Sequence, residues 1–451
     1  MKKENSPKPQ KFSRRDFVKA SSLTAGGLLL GSLPIQVSAY SAGSDTIKVA
    51  LIGCGDRGTG AAVQSLNADR GVKLVAMADI LEDRLTESYN TLTQRFGGSE
   101  QLDVSEDRKF VGFDGYKHAI DLADVVILTT PTFFRPLHFE YAVNHGKHVF
   151  MEKPVAVDAA GVRRVLESGE VAKDKGLNVV VGLQRRYQNS YRELYRRLQN
   201  GEIGDVIAGR VYWNQGPFYF RPRQPGWSEL EHQIRNHFHF IWQAGDQVLD
   251  QMIHNIDVAN WFIGEFPITA QGMGGREVRT GKEYGQIFDH NFVEFTYPGG
   301  AVVSAQCRQI PGCYNIVTER FSGTNGFLST GGPEGPSIRD RQQNNRFRYE
   351  GMDDPSPYQV EHDELYEAIR GGHIIDNTEY GAKSTMASIM GFMATYSGQF
   401  LTWDDAINSN KRMYPHHDLN PEDVTWDTPA PVQPFEDGYY PVPVPGVTEV
   451  I

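Results

Sequence analysis

The chain has 451 residues, enough for two domains with their own cores. Its formal net charge of -11 argues against nucleic acid or an anionic membrane as a partner. Three cysteines make no disulfide framework, although Cys307 and Cys313 flank an expected turn at Pro311-Gly312 and could pair in an oxidising compartment.

Ser13-Arg14-Arg15-Asp16-Phe17-Val18-Lys19 opens the chain ahead of a soft apolar run, Ala20 to Leu33, and the small residues Val37-Ser38-Ala39. Residues 1–39 therefore read as a twin-arginine signal peptide, which predicts periplasmic export in the folded state. The apolar run is short and broken by glycine, and no second run of spanning length follows, so no membrane span is expected in the mature protein.

Ile47 to Ile52 predicts a buried strand, followed by Gly53-Cys54-Gly55-Asp56-Arg57-Gly58 and a helix of small residues. In this glycine pattern Gly53 permits a tight turn, Gly55 lets a pyrophosphate approach the backbone, and Gly58 packs helix against strand. A second strand, Lys73 to Ala78, ends in Asp79, an acid placed to bond a ribose 2′-hydroxyl. That carboxylate would repel a 2′-phosphate, which favours NAD over NADP; Arg84 lies close enough to keep NADP open. A helix is expected over 81–96, a strand over 122–128 ending in Thr129-Thr130-Pro131, and a helix over 136–145. His148 to Met151 predicts a further strand, closed by Glu152-Lys153-Pro154. Alternating strands and helices over 45–160 imply a doubly wound parallel sheet, with ligands at the carboxyl ends of its strands.

These motifs, with His138 and Gly146-Lys147-His148, resemble the Gfo/Idh/MocA family of sugar and polyol dehydrogenases. The resemblance runs from about residue 47 to 400. It implies a Rossmann domain, a nicotinamide cofactor contacted by Asp56, Arg57, His138 and Glu152 besides the residues above, and a sheet that builds homodimers or homotetramers.

The second domain, about 161–400, is expected to begin with Val179 to Gly182 and Leu183-Gln184-Arg185-Arg186-Tyr187. A helix over 190–200 and strands over 203–213, 292–297, 301–308 and 314–323 follow, with a hairpin at Pro298-Gly299-Gly300. Such a meander suits an open, mainly antiparallel sheet. A single helix is expected over 246–263, with Asp250, His254, Asp257 and Trp261 on one stripe and Leu249, Met252, Ile256, Ala259 and Ile263 on another. By resemblance Asp250, His254 and Lys153 form the catalytic set: His254 takes the hydroxyl proton, Asp250 orients the ring, completes a relay or faces the substrate beside His254, and Lys153 donates to the substrate oxygen or tunes His254 electrostatically.

The stretch 212–242 is aromatic and interleaved with arginines, which suits a pyranose ring, a core patch or a subunit interface. Arg186, Tyr187, Arg235, Asn236, His237 and His254 are the expected substrate contacts. No metal is expected, since His232, His237 and His239 come without cysteine or a His-x-x-x-His pair. A long helix is expected over 376–400. Beyond it a proline-rich, aromatic tail would wrap its own surface or a neighbouring subunit.

An exported NAD-dependent dehydrogenase of a secondary hydroxyl on a sugar or glycoside, C3 being one candidate position, is the leading expectation. The alternatives are an NAD-dependent glycosidase working by oxidation, elimination, addition and reduction, and a sugar sensor without turnover. Lys153 favours the dehydrogenase. Outside the cytoplasm the cofactor would have to be loaded before export and reset in place by a second substrate.

Overall fold

The computed structural model of the chain describes residues 45–413 and 423–449, so the expected signal segment lies outside the described residues. Six strands form a parallel sheet: β1 (Ile47–Ile52), β2 (Val72–Asp79), β3 (Lys109–Val111), β4 (Val125–Leu128), β5 (His148–Met151) and β6 (Val179–Val181). Their spatial order is β3-β2-β1-β4-β5-β6. The strands read as apolar runs because both faces are covered. Val49 and Leu51 pack into one cluster of buried side chains, and Ala50 and Ile52 into another. The sheet takes its last strand from beyond the expected boundary near residue 160, since β6 pairs with β5. The strand expected over 122–128 starts only at Val125, because Gly115–Asp121 winds into a helix that ends just before it.

β1 and β4 are neighbours, with Ile52 opposite Leu128, and strand order runs outward from them in both directions. A crevice therefore opens beyond their carboxyl ends. Gly53, Asp79, Thr129 and Glu152 all sit at that rim, as the residues that end or follow β1, β2, β4 and β5.

The second sheet has nine strands in the order β14-β13-β12-β11-β7-β10-β9-β8-β15. Its centre is β7 (Val206–Gln215), β8 (Thr269–Gly275), β9 (His290–Thr296), β10 (Val302–Gln309) and β11 (Ile316–Gly323). It continues through β12 (Gly326–Thr330), β13 (Pro336–Asp340), β14 (Asn345–Arg348) and β15 (Leu401–Thr402). All neighbouring pairs are antiparallel except β7 with β10. The hairpin between β9 and β10 turns at Pro298-Gly299-Gly300, where Gly300 takes φ +81°.

Inward and outward side chains alternate along β10, and Val303, Ala305, Cys307 and Gln309 point inward. Cys307 is thus buried, whereas Cys313 lies in the exposed turn after the strand. Both are free thiols, so the pairing that their flanking positions left open is not made.

The helix Thr378–Ser397 is almost wholly buried and falls within the expected 376–400. It passes close to both sheets: a Cβ at Gly381 would meet Val181 at 2.9 Å, and one at Gly391 would meet Phe295 at 2.8 Å. The tail, over its described residues 423–449, lies on the chain's own surface, where the Tyr440 hydroxyl donates to Glu229 Oε1 at 2.6 Å.

Candidate active site

The glycine turn is built by close approach. Gly53 has φ +95°, and a Cβ there would fall 2.5 Å from the Thr130 nitrogen. A Cβ at Gly58 would fall 2.0 Å from the Gly53 carbonyl oxygen. Gly55 is different: a Cβ there would meet nothing within 4 Å, because the residue faces an open cavity. The helix Asp56–Ala68 starts at this point with no side chain capping its first amides. Open space above bare helix amides fits a pyrophosphate.

Asp79 ends β2 with both carboxylate oxygens engaged by backbone amides, Cys54 at 2.6 Å and Leu81 at 2.8 Å. Burial raises its pKa, and those two bonds work against the rise. Each oxygen keeps a second lone pair that a ribose hydroxyl can use.

Arg135 holds the rim together. Its guanidinium donates to the Thr130 and Pro154 carbonyls and so ties the Thr129-Thr130-Pro131 turn to the Lys153-Pro154 turn. Burial lowers its pKa to about 10, which leaves it charged at neutral pH. Thr129 Oγ1 donates to the Gly53 carbonyl at 2.6 Å. Glu152 accepts from Arg57 Nε at 2.5 Å, and Arg57 also reaches Glu361 at 3.2 Å.

One cavity of about 560 Å³ joins this rim to the second domain. Gly53, Gly55, Asp56, Arg57, Gly58, Asp79, Thr129, Thr130, Pro131, Glu152, Lys153, Arg235, His237, Asp250 and His254 all line it. Lys153 Nζ donates to the backbone carbonyl of Asp250 at 2.7 Å. The Asp250 carboxylate accepts from Gln251 Nε2 at 2.6 Å. Burial raises the Asp250 pKa, against the pull of Lys153. His254 is buried, with its ring stacked 5.6 Å from that of Trp213. Burial, then Lys153 and Arg185, push its pKa well below 6.5, so the ring is neutral. Its Nδ1 has no hydrogen-bond partner among the described residues.

The single helix expected over 246–263 is broken. Gln247–Asp250 and Ile253–Ile263 are separate helices, and the Met252 amide reaches back five residues to the Gln247 carbonyl at 2.8 Å. That bond widens the turn to π-type geometry. Asp250 and His254 are therefore not stacked on successive regular turns, and no hydrogen bond joins them among the described residues.

Four expected contacts lie outside the cavity wall. His138 sits behind it, with Nδ1 3.2 Å from Thr130 Oγ1; burial, then Arg135 and Arg164, hold its pKa down at about 3. Arg186 makes two 2.8 Å bonds to Asp257, and the Tyr187 hydroxyl donates to Asn377 at 2.7 Å. The tight turn Gln184–Tyr187 brings Gln184 into the cavity wall and carries these two side chains to the scaffold behind. Asn236 is buried and brackets the Arg221 backbone, accepting from its amide and donating to its carbonyl. Arg235 does line the cavity, but its guanidinium is held by Asp83 and Glu231.

Gln184, Gln251, Arg135 and Tyr358 line the cavity without having been singled out. The first follows β6, and its place past the carboxyl end of a parallel strand was a usable signal. Gln251 was hidden by the assumption of a continuous helix. Nothing in the sequence near Tyr358 points to the cavity.

The model of an oxidoreductase family with an NAD-binding Rossmann fold matches residues 47–183, and that of the GFO/IDH/MocA C-terminal domain matches residues 191–329. An inositol 2-dehydrogenase of Burkholderia vietnamiensis is 30% identical over 237 residues, 52% of this chain and 59% of that one. The chain thus matches less than two thirds of that relative's length. The structure of a myo-inositol 2-dehydrogenase from Lactobacillus plantarum covers 79% of this chain and 99% of its own, at TM-score 0.60 and 23% identity. A levoglucosan dehydrogenase, solved with NADH and levoglucosan, covers 79% and 99% at TM-score 0.63 and 18% identity. At such identities the two structures speak for the fold. The two family models together take in more than half of the sequence, and the chain belongs to the Gfo/Idh/MocA family of oxidoreductases, with an NAD-binding Rossmann domain.

Proposed function

We propose that the protein is a dehydrogenase that uses NAD to oxidise a secondary hydroxyl on the ring of a sugar or polyol. The observation that carries this reading is the meeting of Lys153, Asp250 and His254 in the cavity that also holds the glycine turn. Inositol and levoglucosan dehydrogenases among the similar proteins support a ring-shaped, hydroxyl-rich substrate.

NAD, when bound, accepts the hydride at C4 of its nicotinamide ring. The chain's own groups handle the proton and the charge. The neutral His254 ring takes the proton from the hydroxyl under attack. The Lys153 ammonium, anchored on the Asp250 carbonyl, donates to the substrate oxygen as negative charge builds on it. The Asp250 carboxylate accepts from a neighbouring substrate hydroxyl, a contact that fixes the ring's orientation. Trp213 holds the plane of His254 and walls off water on that side.

The twin arginine Arg14-Arg15 supports export to the periplasm, and a cofactor retained tightly through that step. The open sheet, where Met273 is 71% exposed, suits pairing with a second copy of the chain.

The test is a panel of inositols, pyranoses and glycosides, with reduced nicotinamide and the keto product both measured. Oxidation of at least one member, lost in His254→Ala, is the expected result. Aglycone release from a chromogenic glycoside without keto product would overturn the reading in favour of an elimination mechanism.

A further inference from the structure

Residues 217–245 form a cap over the cavity, and its arginine chemistry is uneven. Five arginines line the cavity: Arg57, Arg84, Arg135, Arg221 and Arg235. Arg57 is engaged by Glu152 and Glu361, Arg84 by Glu87, and Arg235 by Asp83 and Glu231. Arg135 is spent on two carbonyls. Arg221 alone of the five has neither a carboxylate nor a main-chain carbonyl as partner among the described residues; its guanidinium rests against the Tyr219 side chain, 5.0 Å from the ring. Across the cavity the helix Asp56–Ala68 begins with Asp56, an exposed carboxylate in its first turn. A dianion seated on those amides meets that negative charge from the helix side and finds no free cation in the loop itself. The cap supplies one.

The cap is also locked. Arg235 grips Asp83, on the helix that follows β2, with bonds of 2.8 and 3.0 Å. Phe133 of the first domain meets Trp242 of the cap edge to face at 5.2 Å. The tail then closes over both. Trp426 meets Phe113 at 5.0 Å, Tyr440 meets Phe240 at 5.1 Å, and the Val432 carbonyl accepts from Gln233 at 2.5 Å. Phe133, Phe240, Trp242, Val432 and Tyr440 belong to a third core cluster, drawn from the first domain, the cap and the tail.

We infer that the cap, with Arg221 set against the pyrophosphate and the Arg235–Asp83 pair and the tail holding it shut, is the second wall of the dinucleotide site and the element that keeps NAD resident. The inference rests on the NAD-dependent reading above. It adds which residues govern retention. Release of the cofactor then requires the cap to lift, which breaks the Asp83 pair and the apolar cluster beneath the tail.

The experiment measures nucleotide rather than turnover. The full chain is purified without added NAD, the nicotinamide released on denaturation is quantified, and the release half-time is followed after dilution into a large excess of a labelled NAD competitor. Near-stoichiometric NAD and slow release are expected. Arg221→Ala should release NAD at least about tenfold faster, the scale of one lost charged hydrogen bond, with Arg221→Lys in between. Asp83→Ala should also speed release, through the cap alone. Both sites lie at the cavity rim or surface, so folding is preserved even if a chain cut after Met413 is not. Release from both variants within about twofold of the parent would overturn the inference. A parent that retains NAD but oxidises nothing on the panel would overturn the dehydrogenase reading alone. Oxidation by a parent that sheds NAD as fast as both variants would overturn this inference alone.

Discussion

The Lys153 ammonium is anchored on the main-chain carbonyl of Asp250, 2.7 Å away, and not on its carboxylate. The amine's position therefore depends on the backbone of the widened turn, and the carboxylate, which accepts from Gln251 Nε2, is left to face the substrate. Lys153→Met and His254→Ala should each lower kcat by at least about a hundredfold, the range of general acid–base contributions, with NAD still bound. Asp250→Asn keeps the carbonyl anchor. It should raise KM by about tenfold, through a lost charged hydrogen bond, with a smaller loss in kcat than Lys153→Met. Steady-state kinetics on the best panel substrate checks all three; an Asp250→Asn loss in kcat as large as that of Lys153→Met would place the carboxylate in the proton transfer.

A second expectation concerns pH. His254 must be neutral to act as base, and burial followed by Lys153 and Arg185 depresses its pKa well below 6.5. Protonation, and with it loss of activity, sets in only as pH falls through that depressed value. The acid limb of kcat/KM should thus lie below pH 6.5. Lys153→Met removes one of the charges that depress it, so the residual activity of that variant should show an acid limb moved upward. A limb at or above 6.5 in the parent would exclude His254 as the base.

Gly55 and Gly58 should separate binding from folding. A methyl at residue 55 meets nothing within 4 Å, while one at 58 strikes the Gly53 carbonyl. Gly55→Ala should keep its melting temperature within about 2 °C yet lose NAD affinity. Gly58→Ala should lower the melting temperature by clearly more, at roughly 1 °C for each kcal/mol of strain in a chain of this size, since a methyl driven into backbone costs about 4 kcal/mol or more. Calorimetry with and without NAD distinguishes the two, and equal destabilisation would mean that Gly55 does not face the ligand.

Asp79→Ala should weaken NAD by roughly ten- to a hundredfold and relax discrimination against NADP. Part of the effect is local, because the carboxylate also holds the Cys54 and Leu81 amides. Asp79→Asn retains an acceptor for one of those amides and separates the contributions in a titration with both dinucleotides. NAD affinity unchanged in Asp79→Ala would remove the residue from the site.

The first domain's rim was legible because it is local. Strand, glycine turn and acid lie within about thirty residues, and each glycine's role follows from its own backbone contacts. Lys153 was placed by the same logic of strand ends. Arg186, Tyr187 and Asn236 were not legible: their direction depends on the short turn after β6 and on partners as remote in sequence as Asp257 and Asn377. The break at Gln251 was masked by an apolar stripe, Leu249, Met252 and Ile256, that runs through it and is buried on both sides. The free state of Cys307 follows from inward pleating on β10, which flanking a turn does not reveal.

The tail gives the molecule an order of assembly in time. Val424, Val432 and Tyr440 complete a core begun by Leu230, Phe240 and Trp242. A ribosome adding about 5–20 residues per second delivers them roughly ten to forty seconds after the cap. Until then the six strands and the glycine turn have been made while the cap's apolar underside lacks its cover. On the retention inferred above, that interval would be a loading window: nucleotide would enter while the cap lacks its cover, and residues 424–440 would then close over it. A ribosome-bound chain stalled before Val424 should accordingly exchange NAD quickly and be cut by protease within 217–245, and a released full-length chain should do neither.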